Sequence, residues 1–225
     1  MDLERLKSLL SLVYLTPIPD AKSWIPSSFG IFSVKSFFSA LASVSNSIPF
    51  YPANFLWNSK VPSKTRAFAW SVAHKKVNTN DMLQLRRSFK ALNLDWCIRY
   101  RKSRETIDHL FLHCPITLGL WCRIFSQAGM EWVQPSNICD MLVISFKCFG
   151  YSIRGKTLLR IACLSLLWIV WRERNARIFE DIWKTLEMMW DQLHFYVSFW
   201  AYYTNIFKPY PLGVIQLSWL PLCTP

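Results

Sequence analysis

The stretch Glu105-Thr106-Ile107-Asp108-His109-Leu110-Phe111-Leu112-His113-Cys114-Pro115 sets two imidazoles and a thiol in an apolar frame and ends on a proline. Thr106 can open a short turn of helix running through Leu112, and Asp108 near its amino end offsets the helix dipole. Pro115 suits the first position of a following helix, in which Trp121, Ile124, Phe125 and Ala128 form a stripe that ends at Gly129. Thiolate and imidazole are the ligands that a structural zinc prefers, four of them in a tetrahedron. Upstream, Cys97 supplies a second thiol, so that Cys97, His109, His113 and Cys114 form the one cluster with metal-ligand spacing. A complete knuckle would carry another cysteine at C-x-x-C spacing from Cys97, but that position is Tyr100. His113 lies four residues after His109 and would share its face on a helix, which makes it a substitute fourth ligand. It also abuts Cys114, and adjacent residues seldom converge on one ion, so a surface or core role is the preferred reading.

Charge is concentrated around the same region. The net charge is +12, and between Lys60 and Arg104 twelve Lys and Arg residues face only Asp81 and Asp95, so that this window alone carries +10. A nearly neutral body with one basic segment is the pattern of a polyanion-binding surface. The cations that would contact phosphates are Lys60, Lys64, Arg66, Lys75, Lys76, Arg86, Arg87, Arg99, Arg101, Lys102 and Arg104. Phe68, Trp70, Phe89, Trp96 and Tyr100 are interleaved with them, which permits base stacking, although aromatic residues at helical spacing more often belong to a core. The alternative for the charges themselves is a solvated face.

Further out, the periodicities are those of helices. Residues 157–180 and 182–203 read as two long helices paired as a hairpin, the second with Ile182, Leu186, Met189, Leu193 and Trp200 on one face. The apolar run from Leu158 to Trp171 is interrupted by Arg160 and falls short of the roughly 20 residues that cross a bilayer, so it reads as a core helix. Upstream of the cluster a helix can start at a capping Ser63, with Asn78-Thr79-Asn80 breaking it and Thr79 capping the next. Residues 1–15 have helical spacing that Thr16-Pro17-Ile18-Pro19 stops. Residues 20–34 alternate as an extended ribbon, and Ser33 can cap a helix through Phe37, Phe38 and Leu41. Pro49, Pro52 and Asn54 mark a loop, and the tail from Pro209 to Pro225 is expected to pack irregularly or fray.

Composition excludes several classes. The chain has 225 residues, 52% of them hydrophobic, with only 6 glycines, which argues against disorder as the dominant state. Acids at Asp2 and Glu4 stand where a secretory signal would carry only bases, so the seven cysteines are expected to be free thiols or metal ligands in an intracellular, nuclear or cytoplasmic setting. Cys122, Cys139, Cys148, Cys163 and Cys223 sit singly among apolar residues and read as core or incidental. There is no Tyr-x-Asp-Asp turn, no phosphate-binding G-x-x-x-x-G-K-S/T loop and no G-x-S-x-G elbow. Glu105 and Asp108 are the only closely spaced acids beside the cluster, and capping accounts for them, so no catalytic residue is assigned.

An ordered series of residues gives the chain a family resemblance: Trp57, Val61-Pro62-Ser63-Lys64, Phe68, Trp70, Thr79, Asp81, Leu83, Arg87 and Cys97, then the 105–115 run and Trp121. In these the sequence closely resembles the reverse-transcriptase zinc-binding domain of plant LINE-type retrotransposons, which lies C-terminal to the polymerase. The similarity continues upstream through Trp24, Gly30 and Phe32-Ser33-Val34-Lys35-Ser36. Downstream it continues through Trp168 and Trp171-Arg172-Glu173-Arg174-Asn175-Ala176-Arg177-Ile178-Phe179, which resembles the helix that often follows the domain. The resemblance implies a cysteine, cysteine, histidine, cysteine zinc site at positions 97, 100, 109 and 114. Because a neutral phenol with a pKa near ~10 is a poor zinc ligand, Tyr100 implies that zinc is bound weakly or lost.

The expected fold class is mainly α: a small zinc-knuckle-type helical module followed by a long helical hairpin, with little or no sheet. Residues 1–50 would be an N-terminal helix and connecting segment, 51–130 the zinc-binding-like domain, 131–156 a connector, and 157–225 the hairpin and tail. The expected function is a non-catalytic module, a degenerate fragment with zinc as its cofactor. Its basic surface would bind RNA or DNA without sequence preference, and it would have no small-molecule substrate and no membrane association. A helical protein-interaction scaffold or an inert retroelement remnant is the alternative.

Overall fold

Helices are the regular elements among the described residues of the computed structural model, which are residues 23–25, 29–33, 36, 56, 60–86, 96–147, 152–217 and 219. They are α1 (Ser63–Ala73), α2 (Asn80–Arg86), a π-helical turn (His109–His113), α3 (Pro115–Gln127), α4 (Ile138–Lys147), α5 (Ile153–Phe179), α6 (Leu186–Tyr202), a 3-10 turn (Asn205–Phe207) and α7 (Leu212–Leu217). A single antiparallel bridge, Trp96 to Arg104, is the one β-type pairing among these residues, so the mainly α expectation holds.

The chain divides into two compact units, Met1–Pro49 and Phe50–Pro225. In the first, the Trp24 amide donates to the Gly30 carbonyl at 2.8 Å, and Gly30 takes φ 64°, a conformation in which a β-carbon would lie 2.8 Å from Ser23 Oγ. Ser33 Oγ accepts from the Ser36 amide at 3.0 Å, the geometry of a helix cap. The helices expected at 1–15 and through Leu41, and the Pro49–Asn54 loop, lie outside the described residues.

In the second unit α5 is the central strut. Ser152 caps it by accepting from the Gly155 amide at 3.1 Å. From Leu158 to Val170 almost every side chain is buried, Ser165 included, whose hydroxyl donates to the Ile161 carbonyl at 2.7 Å. A helix apolar on all sides must be covered on all sides, and α1, α3, α4 and α6 pack around this one. Among the described residues no helix is long and apolar enough to cross a membrane. The hairpin expected from sequence is the α5–α6 pair. α6 begins later than expected, at Leu186, because Thr185 caps it by accepting from the Met188 amide. Ile182 is therefore left half-exposed in the connection, while Met189, Leu193, Val197 and Ala201 form the buried face.

Several local readings are corrected. Pro62, not Ser63, is the N-cap of α1, and no side chain caps it. That helix stops at Ala73, ahead of Asn78, because Lys75 turns left-handed at φ 53° and the Lys76 amide bonds back to the Ser71 carbonyl. The connector contains a helix, α4, whose cap Asn137 accepts from the Asp140 amide at 2.9 Å. The tail is partly ordered by α7, with Phe207, Ile215 and Trp219 fully buried.

If α6 is held by its buried face, Leu193→Ala should cost about 2–5 kcal/mol in denaturant unfolding, whereas Phe195→Ala on the exposed face should stay within about 0.5 kcal/mol of wild type. Equal losses at the two positions would contradict this packing.

Candidate metal centre

The knuckle is built by backbone geometry before any ligand is considered. After Cys97 the chain turns so tightly that the Tyr100 and Arg101 amides both donate to the Cys97 carbonyl, at 3.1 and 2.7 Å. Arg101 takes φ 55°, and the Cys97 amide returns to the Ser103 carbonyl at 2.7 Å. Hydrogen bonding with Cys114 and burial raise the Cys97 thiol, and the backbone N–H groups of Arg99 and Tyr100, which this turn brings to the sulfur, offset that only in part. On the other side Thr106 Oγ1 accepts from the His109 amide at 3.0 Å, as expected of a cap. The π-helical turn then delivers His109, and its C-cap Cys114 leads into Pro115 at the start of α3.

Cys97, His109 and Cys114 each bring one ligand atom to within 4.8 Å of the others. Both thiols are fully buried, and Nε2 of His109 is buried with no hydrogen-bond partner, as expected of a nitrogen that awaits a ligand. Tetrahedral zinc at the usual Zn–S length of about 2.3 Å would hold two sulfurs about 3.8 Å apart, so the donors fit three of its four positions after a small contraction. The two thiols behave as one acid. Hydrogen bonding from Cys97 holds the Cys114 sulfur as thiolate, against the cost of its burial and with help from His109 and Arg99, and the same bond together with burial raises Cys97.

Tyr100 sits beside this cluster, its ring centroid 6.4 Å from that of His109, but it is 38% exposed and Lys102 Nζ lies 5.9 Å from its ring centroid. His113 does not join the ligands. Its Nε2 pairs with the Ser136 carbonyl at 3.0 Å and its Nδ1 with Gln134 Nε2 at 2.5 Å, so both ring nitrogens are engaged by the segment before α4. Cys122 is exposed, Cys139 is half-buried with its sulfur bonded to the Ala73 carbonyl, and Cys163 is in the core of α5. Cys148 and Cys223 lie outside the described residues.

One of the expected phosphate contacts is corrected. Arg99 is buried: its Nε lies 3.0 Å from Glu173 Oε2, with both side chains at 1% exposure or less. This is an ion pair and not an aligned hydrogen bond, and the other guanidinium nitrogens donate to Thr117 Oγ1 at 3.1 Å and Met189 Sδ at 3.0 Å. Arg87 lies outside the described residues. Lys75 is exposed but paired to Asp108 at 2.9 Å, which raises its pKa through that hydrogen bond. Arg86 donates to Asn78 Oδ1, and Arg66 is half-buried. Lys60, Lys64, Lys76, Arg101, Lys102 and Arg104 are exposed.

Glu105 and Asp108 do cap helices, but not the helix they open. Glu105 is fully buried, pairs with Arg174 at 2.7 Å and accepts from the Asn80 amide at the start of α2. Asp108 accepts from the Ile138 amide at the start of α4. Arg174 also donates to Asn80 Oδ1 at 2.9 Å, and Arg177 pairs with Glu173. The last turns of α5 thus grip the knuckle at Arg99 and at Glu105. In the sequence Glu173, Arg174 and Arg177 stand out only by family similarity. The signal for their role was a run of charges on a helix too apolar elsewhere to be exposed.

Residues 32–121 match the family profile described as zinc-binding in reverse transcriptase, and this part of the chain is a reverse-transcriptase zinc-binding domain. A relative from Arabidopsis thaliana, named "Putative ribonuclease H protein", is 31% identical over 139 residues, covering 56% of this chain and 22% of the relative. The chain therefore spans about a fifth of the length of that relative. No solved structure matches. Together these make the domain a retroelement-derived one that carries a Cys97, His109 and Cys114 group able to hold a metal.

Removing one member of a buried pair strands the other. Glu105→Ala should therefore destabilise by about 3–5 kcal/mol, and the double variant Glu105→Leu, Arg174→Met should recover most of that loss in urea unfolding. Additive losses would mean that the pair does not act as a unit.

Proposed function

We propose that this domain is a non-catalytic accessory module that binds RNA or DNA through phosphates, with a weakly held zinc as a structural staple. The observation that carries the reading is the division of the basic segment. The cation that enters the fold, Arg99, is neutralised by Glu173, while Lys60, Lys64, Lys76, Arg101, Lys102 and Arg104 are exposed. Three of the exposed cations lie on the knuckle turn, where Arg101 stands 5.6 Å from the Trp183 ring centroid and Lys102 beside Tyr100. Fixed cations on a rigid turn contact the backbone of a nucleic acid without reading its sequence. The relative's name refers to an enzyme acting on nucleic acid, which is consistent with this partner class.

The two fully buried arginines, Arg99 and Arg174, are matched one to one by Glu173 and Glu105. Weak zinc follows from the ligand set: Cys97, His109 and Cys114 supply three donors of a tetrahedron, and the partly exposed Tyr100 does not supply a fourth thiolate. When bound, zinc would tie Cys97 to His109 and Cys114 and so contribute folding free energy. Among the described residues the acids do not converge as a pair of catalytic metals would need: Glu105 and Glu173 each pair with a buried arginine, and Asp108 with Lys75 and the start of α4.

Two measurements test this reading. Purified protein should take up less than one equivalent of zinc, and Tyr100→Cys should raise both occupancy and melting temperature; one tight equivalent in wild type would refute the account of the site. Binding to duplex DNA should weaken with salt at a slope of roughly −0.9 in log affinity per phosphate contacted, and Arg101→Glu, Lys102→Glu, Arg104→Glu together should flatten it. Salt-insensitive binding, or none at low salt, would favour a protein-interaction scaffold.

A further inference from the structure

We infer that the cleft between α1 and α5 is a second nucleic-acid site, one that takes an unpaired base of a single strand with Trp168 as its stacking platform. The inference rests on the nucleic-acid reading above and extends it to a cleft that the zinc-binding segment shares with α5. The cleft, about 640 Å³, is lined by Lys64 and Phe68 from α1 and by Trp168, Trp171, Arg172 and Asn175 from α5. Its size suits a small planar ligand.

Its floor is a set of locked rings. Phe68 meets Trp168 edge-on at 5.6 Å and stacks against Trp171 at 5.6 Å, and the Arg174 guanidinium lies 5.1 Å from the Trp171 ring centroid. Trp171 is thereby engaged by neighbours, whereas Trp168, also half-buried, meets among the described residues the Phe68 ring and the Lys64 ammonium, which lies 5.6 Å from its ring centroid. A lysine ammonium on a flexible stem can move aside to a phosphate and leave the indole to a base. Asn175 receives the Arg174 N–H on Oδ1 at 3.2 Å, which orients its amide nitrogen as a donor for a base acceptor. Lys64 and Arg172 stand exposed on the rim, and among the described residues no carboxylate lines the cleft.

An aromatic floor, an amide donor and two cations without an acid match a nucleotide, and the combination favours a single strand because duplex bases are stacked on each other and out of reach. An acidic peptide would satisfy the rim but would have no use for an open indole. The family match ends at residue 121, so the platform on α5 belongs to the part of the chain beyond it.

The test is binding of a dT oligonucleotide, of a matched duplex and of poly-glutamate at one salt concentration, with wild type, Trp168→Ala and Trp168→Phe checked for folding by melting. Wild type should prefer the single strand and show tryptophan quenching on binding it. Trp168→Ala should lose roughly tenfold in single-strand affinity and change duplex affinity less than twofold. Trp168→Phe should restore most of the affinity but not the quenching, which a merely structural role would not produce. Equal loss on both nucleic acids, no loss on either, or poly-glutamate bound as well as dT would overturn the inference. Salt-sensitive duplex binding with Trp168 indifferent would sink this site alone, whereas absence of binding to either nucleic acid would sink the functional reading as well.

Discussion

Two buried arginine–glutamate contacts, Arg99 with Glu173 and Arg174 with Glu105, are the constraint on which the remainder of the fold depends. A buried ion is tolerated only when its partner is held in place, and here the partners belong to distant parts of the chain. The knuckle turn and the α2 and π-helical entry sequences are positioned by the carboxyl-terminal turns of α5. That helix can act as an anchor because the rest of its length is an apolar core element, covered on every side. The arrangement converts hydrophobic burial of one helix into positional accuracy for ligands some seventy positions earlier in the chain.

The metal ligands inherit their geometry from this scaffold. Cys97 is set by its own turn and Cys114 by the entry to α3; the Cys114 thiolate is favoured first by its hydrogen bond with Cys97, then by His109, and the charge of Arg99, two residues from Cys97, adds to these. Ligand chemistry and fold stability therefore share a residue. The same residue explains why a cation inside the basic segment is not part of the outward-facing charge.

How much of this was legible follows from sequence distance. Thr106, Pro115 and Gly129 act within a few residues of themselves, and their roles as cap, first helical position and left-handed stop could be read directly. The hairpin was legible from its periodicity, since burial at three- and four-residue spacing is a local pattern. Glu105 and Asp108 have the spacing of a helix opening, but their hydrogen bonds go to α2 and α4, which no local rule identifies. Arg99 reads as surface because its counter-ion lies on α5 and only the tertiary fold brings them together. Helix α4 lies in the segment expected as a connector, although Asn137 and Asp140 carry a capping pattern at its start.

The grip of α5 on the knuckle also sets where this polypeptide can be cut. The segment recognised by family similarity stops at residue 121, yet Arg99 and Glu105 find their counter-charges at residues 173 and 174. A recombinant piece trimmed to the matched segment would carry two stranded ions and an uncovered apolar surface. The zinc-binding segment is thus not a transplantable cassette: the smallest inheritable unit includes the helix that follows it, and the two must diverge together.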